Sequence, residues 1–278
     1  MPDLPKPQTL PACPWTRVTM VVTPEQAKKW LEMNTLNRPL TELHWMEMAC
    51  DMLEGRWEYT PEHVIAFDTN GILVDGQHRL KACAESGVSL QTDVAFGVPP
   101  HLRNKWNIGR SRTAAHMAHM AGVQNATGAC ALAALLLIHE KHGIQKMNNP
   151  RCKPTRTQAN LDAQRRADMT PAILRSKHFK KRMAAPRVIA FCYYLFSKEK
   201  KELADRFFDE LHSGAGLSAD NPVFQLRERL TEKTKGKLDD LYVIALFFKT
   251  WRAYRAGKRI KCLRWCTDGP TPEAFPMI

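Results

Sequence analysis

Between residues 72 and 80 the chain reads Ile72-Leu73-Val74-Asp75-Gly76-Gln77-His78-Arg79-Leu80: a β-forming run, an acid, a glycine, then polar and basic residues that open a helix. That order is a physical recipe for an anion site. The first turn of a helix has amides without intrahelical partners and the positive end of the helix dipole, and glycine lets a ligand approach the backbone closely. His78 and Arg79 add side-chain donors, so phosphate is the ligand the pattern suits. The structural alternative is that Asp75-Gly76 makes a tight turn and Arg79 pairs with Asp75. Two further anion candidates are basic. Arg110 and Arg112 flank a serine just before Thr113, a good helix cap, and Arg38 is stiffened by the proline after it. Surface charge is the competing reading for these arginines.

Other reactive side chains are less organised. His116 and His119 share a helix face, as do His139 and His142, but no HExxH motif or acid completes a metal set. They read as surface or cap histidines, and no metal is expected. Of the eight cysteines, Cys262 and Cys266 alone lie close together, and a single C-x3-C without a second pair reads as two helix or strand positions. Cys83, between Ala82 and Ala84, reads as a core thiol.

The elements that must position these residues follow from caps and periodicity. Thr23-Pro24-Glu25-Gln26 starts a helix running to about Met33. Leu43, Met46, Cys50 and Leu53 recur at helical spacing, and Gly55 ends that helix. Runs 64–67 and 72–74, joined by Asp68-Thr69-Asn70-Gly71, read as a hairpin. The helix opened by Gln77 presents Leu80, Cys83 and Ala84 on one face and closes at Gly87. A strand at about 91–96 follows, then Pro99-Pro100 and a short helix, giving the order α-α-β-β-α-β-α-α. Beyond residue 125 the pattern is helix upon helix, at about 126–142, 156–168, 171–182, 186–197, 199–212, 222–233 and 237–256. The first of these is apolar nearly all round, as a buried central helix is.

The chain has 278 residues and is 44% hydrophobic and 25% charged, which excludes disorder and fibrous repeats. Its longest apolar run, 129–138, is too short to cross a bilayer, and the first fourteen residues lack the apolar core of a secretory signal. The expected location is the cytoplasm, in the host if the chain is phage-encoded. The net charge of +13 is unevenly placed. Residues 1–125 hold 12 Lys and Arg against 13 Asp and Glu, and residues 126–278 hold 29 against 15. Eleven basic residues lie between Arg151 and Arg187, among them Arg165, Arg166, Lys177, Lys180, Lys181 and Arg182, which suggests a polyanion partner. A solvated face balanced by acids around Glu199 to Glu210 is the alternative. The segment from Lys249 to Trp265 interleaves cations with Trp251, Tyr254 and Trp265, either to stack bases or as an amphipathic helix with a core face.

The Asp75-Gly76-Gln77-His78-Arg79 box, with Ile72 to Ala82 around it, resembles the signature of the ParB/sulfiredoxin-like superfamily, in its DGQHR-type variant found in phage and actinobacterial proteins. The resemblance covers about residues 17–121, including Asn37-Arg38-Pro39 and Gly109-Arg110-Ser111-Arg112-Thr113. The remainder, with Leu226-Arg227 and Trp251-Arg252-Ala253-Tyr254-Arg255, is similar to the helical tail of such proteins. The fold it implies is α+β: a flexible segment 1–16, a small mixed α/β domain 17–125, and an all-α basic domain 126–278.

The resemblance also implies a nucleotide-phosphate cradle in which Gly76, His78 and Arg79 hold phosphate. Gln77 stands where sulfiredoxins have their catalytic cysteine and ParB proteins a glutamate used in nucleotide hydrolysis. A glutamine has neither thiolate nor carboxylate, so sulfinic acid reduction is excluded. Hydrolysis would need Asp75 as the carboxylate for Mg2+ or for a water, which makes Asp75 the catalytic candidate. The expected cofactor is a nucleoside triphosphate with Mg2+, bound by Gly76, Gln77, His78, Arg79, Arg38, Arg110 and Arg112. The expected partners are that nucleotide and DNA or RNA, with no membrane and with a homodimer left open. Two functions compete: nucleotide binding coupled to nucleic-acid binding in phage or mobile-element DNA metabolism, and a phosphotransferase or nucleotide-dependent modifying enzyme.

Overall fold

A computed structural model describes residues 15–37, 39–105, 113–179, 183–231, 238–266 and 272–278. The protein is mixed α+β and divides into two compact units, residues 1–111 and 112–278. Among the described residues no helix is long and apolar enough to cross a membrane.

The first unit is a four-stranded sheet in the order β1-β4-β2-β3, with strands Thr16–Val22 (β1), Val64–Asp68 (β2), Leu73–Asp75 (β3) and Leu90–Val98 (β4). Its helices are Pro24–Glu32 (α1), Glu42–Leu53 (α2) and Gln77–Ser86 (α3). β4 is central: it runs antiparallel to β1, with Thr16 opposite Phe96 and Val22 opposite Leu90, and parallel to β2. A parallel pair needs a crossover, and β3 with α3 supplies it. β2 and β3 form the expected antiparallel hairpin, with Asp68 Oδ1 accepting from the amides of Asn70 and Ile72 to make its turn. α3 buries Leu80, Ala82 and Cys83 against α1 and α2, a core completed by Ile65, Phe67 and Leu73.

Two differences from the sequence reading have clear causes. β1 carries no period-2 signal because all but Met20 and Val22 of its seven residues are exposed. α2 spans the expected residues but faces the core with Trp45, Met48, Ala49 and Met52, leaving Leu43 at 48% and Leu53 at 64% exposure. Both stripes satisfy helical spacing, and the aromatic and methionine stripe offers more area to bury.

The second unit is helical: Ala114–Met120 (α4), Ala126–His142 (α5), Arg156–Arg165 (α6), Thr170–Lys177 (α7), Pro186–Ser213 (α8), Pro222–Thr231 (α9) and Asp240–Arg255 (α10). α5 is buried through most of its length and packs on α4, α6 and α8. α8 joins the two expected helices across Lys200, which has non-helical φ −149° and ψ 88°. Its aromatic residues Phe196, Phe207 and Phe208 meet Phe247, Phe248 and Trp251 of α10, with Phe196 stacked on Trp251 at 4.5 Å. Cys262 and Cys266 sit in irregular chain after α10, not on a helix or strand, and both are free thiols.

At the β3–α3 junction Gly76 has φ +102°, and a Cβ there would lie 2.9 Å from Ile65 Cγ1. Gly87, which closes α3, has φ +71° but open space around a Cβ. Gly87→Ala should therefore cost only the left-handed backbone strain, about 1–2 kcal/mol. Gly76→Ala should cost roughly 1–3 kcal/mol more, because overpacking is added. Urea denaturation of the two variants checks the difference, and equal losses would show that Ile65 yields without cost.

Candidate functional site

The box forms a strand-glycine-helix corner. Gly76 caps α3, and the three polar residues after it are all buried: Gln77 at 6%, His78 at 8% and Arg79 at 8% exposure. Three consecutive buried polar side chains require internal partners or a ligand. Gln77 Oε1 accepts from Asn34 Nδ2 at 2.9 Å, and Asn37 Nδ2 in turn donates to Asn34 Oδ1 and to the Leu73 carbonyl. His78 Nε2 accepts from the Thr41 amide at 3.0 Å, so the neutral ring carries its proton on Nδ1; His44 lies edge-on to it. The segment between α1 and α2 is thereby strapped across the start of α3.

Arg79 is held differently. Its Nη2 donates to the Val64 carbonyl at 2.7 Å and to Asp75 Oδ2 at 3.1 Å. Nε and Nη1 make no hydrogen bond to any described residue. Burial pulls the Arg79 pKa down, and the Asp75 charge opposes that. His63 stacks on Trp57 at 4.8 Å; burial, reinforced by the charge of Arg79, holds its pKa below the ordinary 6.5. Asp75 is thus the counter-ion of Arg79, with 26% of its side chain exposed. Asn34, Asn37 and Thr41 are the contributors to this corner that residue types alone did not single out as donors. The cluster of asparagines between two helices was the available signal.

Arg38, Arg110 and Arg112, and Lys180, Lys181 and Arg182, lie outside the described residues. Thr113 caps α4, its Oγ1 accepting from the His116 amide while His116 Nδ1 accepts in return. In the basic cluster, Arg166 is gripped through both terminal nitrogens by Glu140 and also pairs with Asp162. Arg175 pairs with Asp209 and Arg187 with Asp240. Lys177 is exposed and donates to Asn125 Oδ1. Arg165 and Lys153 are exposed and make no ion pair with a described residue. Part of the cluster is therefore a balanced surface, with one acid from the stretch after Glu199. Trp251 is fully buried and donates to Glu199, and Tyr254 donates to Glu210, so these rings belong to the core and do not face bases.

Comparison with models of known protein families, with curated proteins and with solved structures finds no match for this chain.

Two measurements follow from this corner. Asp75→Asn should destabilise the protein by about 1–3 kcal/mol in urea denaturation, because it leaves a buried guanidinium without its counter-charge. Lys81→Gln, which removes the exposed pair with Glu85 on the same helix, should change stability by less than about 0.5 kcal/mol. Equal effects would contradict a buried role for Asp75. The second is a pH profile. His63 and His139 are both held below 6.5 by burial, so the unfolded chain takes up their protons first as pH falls. Stability is unaffected by them above about pH 6.5 and is lost below it, through their folded pKa values. His63→Gln should flatten that fall in thermal melts from pH 8 to 5, and an unchanged slope would contradict the assignment.

Proposed function

We propose that the first unit is a ParB/sulfiredoxin-like module that binds a nucleotide through its phosphates at the start of α3, and that the basic helical unit binds nucleic acid. The setting consistent with the resemblance is phage or mobile-element DNA metabolism. The observation that supports the reading best is Arg79: a guanidinium at 8% exposure with Nε and Nη1 unbonded to described residues, beside the first turn of a helix that Gly76 opens. A buried cation with two unused nitrogens suits a phosphate oxygen, and the helix start adds amides of the same polarity. Asp75 acts as the partner of Arg79, which favours binding over phosphate transfer. Mg2+ would travel with the phosphates, ligated mainly by their oxygens and water. Among the described residues no group of three His, Cys, Asp or Glu side chains is placed to hold it.

Because Arg79 also ties β2 to α3, removing it would confound binding with folding. The test is calorimetric titration with ATP, CTP, GTP and their diphosphates, with and without Mg2+, followed by hydrogen exchange at saturation. Saturable binding in the micromolar to low millimolar range is expected, with slower exchange at the amides of Gln77, His78 and Arg79. Absence of binding at millimolar nucleotide, or protection elsewhere only, would overturn the reading.

A further inference from the structure

Where the helical unit would meet nucleic acid is a separate matter from whether it does, because much of its charge is spoken for. Arg166, Arg175 and Arg187 are each matched by a carboxylate, as are Lys198 by Asp168 and Arg259 by Asp220. A second concentration of cations lines a cleft of about 550 Å³ between α9 and the irregular chain at 261–264. Arg229, Lys261 and Arg264 line it, and Glu228 is the one carboxylate among the described lining residues. Lys261 and Arg264 are exposed and form no ion pair with any described residue.

The wall that carries them is fixed. Leu263, between the two cations, is buried in the helical core. The Ile260 amide donates to the Asp220 carbonyl at 2.9 Å, and Lys249 Nζ donates to the Arg264 carbonyl at 2.6 Å. On the opposite wall the Arg229 guanidinium lies 6.0 Å from the Tyr242 ring centre, a cation–π distance. Backbone and core thus hold the segment in place before any ligand arrives, which lowers the entropy lost on binding.

We propose that this cleft between α9 and residues 261–264 holds the phosphodiester backbone of the nucleic acid bound by the helical unit. The proposal rests on the reading that this unit binds nucleic acid, and it moves the contact away from the 151–187 cluster. Lys261 and Arg264, two exposed cations unpaired with described residues on one short segment, match successive singly charged phosphodiesters. A free triphosphate, with about four charges packed together, is better served by the helix start and buried Arg79 of the first unit. Contacts of this kind carry no base information, so the binding should be indifferent to sequence.

Fluorescence anisotropy with labelled single- and double-stranded DNA and RNA, from low to moderate salt, tests this. Wild type is compared with Lys261→Glu/Arg264→Glu, with the milder Lys261→Gln/Arg264→Gln, and with Lys153→Glu/Arg165→Glu as the alternative surface. The cleft reversal should weaken binding at least about tenfold on every sequence. The neutral pair should reduce the salt slope by roughly 1.4–1.8, at about 0.7–0.9 per lost contact. Far-ultraviolet circular dichroism should be unchanged in both. If wild type binds and the cleft variants bind within twofold of it, the cleft proposal falls and the nucleic-acid reading stands. A larger loss in the Lys153/Arg165 variant would return the contact to that cluster. Should wild type bind no probe at low salt, the cleft proposal and the nucleic-acid reading fall together. Loss of free-nucleotide affinity in the cleft variants, with nucleic-acid affinity intact, would assign the cleft to a small ligand and overturn the proposal.

Discussion

A single buried guanidinium organises the small unit. Arg79 belongs to α3, yet its Nη2 is bonded to the Val64 carbonyl on β2 and to Asp75 on β3. Removing a charge from water is costly, and that cost is offset here only if three elements meet at one point. The left-handed Gly76 follows from the same geometry. With Ile65 of β2 where a Cβ would fall, α3 can start close enough for Arg79 to reach β2 only if residue 76 has no side chain. The strap from Asn34 to Thr41 then covers Gln77 and His78, so each polar group of the row has a role in closing the fold.

That economy gives the corner its chemical character. A core made of Ile65, Leu73 and Leu80 would be satisfied by an apolar residue at position 79. A cation there instead concentrates positive potential at a helix start, where the dipole already adds to it. On the proposed reading, stability and phosphate binding would be coupled at this point, because the residues proposed to receive a phosphate also hold β2, β3 and α3 together. The helical unit is built on another principle. Its centre is a stack of aromatic rings from α8 and α10, and its charges are surface features, some paired and some not.

Features set by neighbours in the chain were legible before the structure. The Thr23 cap with Pro24, the Asp68 turn, the Gly87 stop and both ends of α5 depend on local chemistry. β1 was not legible, because its two faces are nearly equally exposed and no alternation marks it. The core face of α2 was ambiguous for a similar reason: two stripes had the same period, and packing decided between them. Ion pairing in the basic cluster was legible only in part: Asp209 falls in the acidic stretch from Glu199 to Glu210, whereas Glu140 and Asp240 come from other helices that the sequence does not bring to it. The strap was not legible, because its bonds to β3 and α3 span 36 to 43 residues of sequence. At the box itself, the strand-glycine-helix order was visible in residue types, whereas the burial of Gln77, His78 and Arg79 was not.

The most direct measurement is a crystal structure of the full chain grown with a nucleoside diphosphate. The expected result is a phosphate oxygen about 2.7–3.2 Å from the first-turn amides of α3 and from Nε or Nη1 of Arg79, with the Asp75 pair kept. A nucleotide bound at another place, with the start of α3 unaltered and Arg79 still unengaged, would contradict the coupling of fold and phosphate binding at this corner.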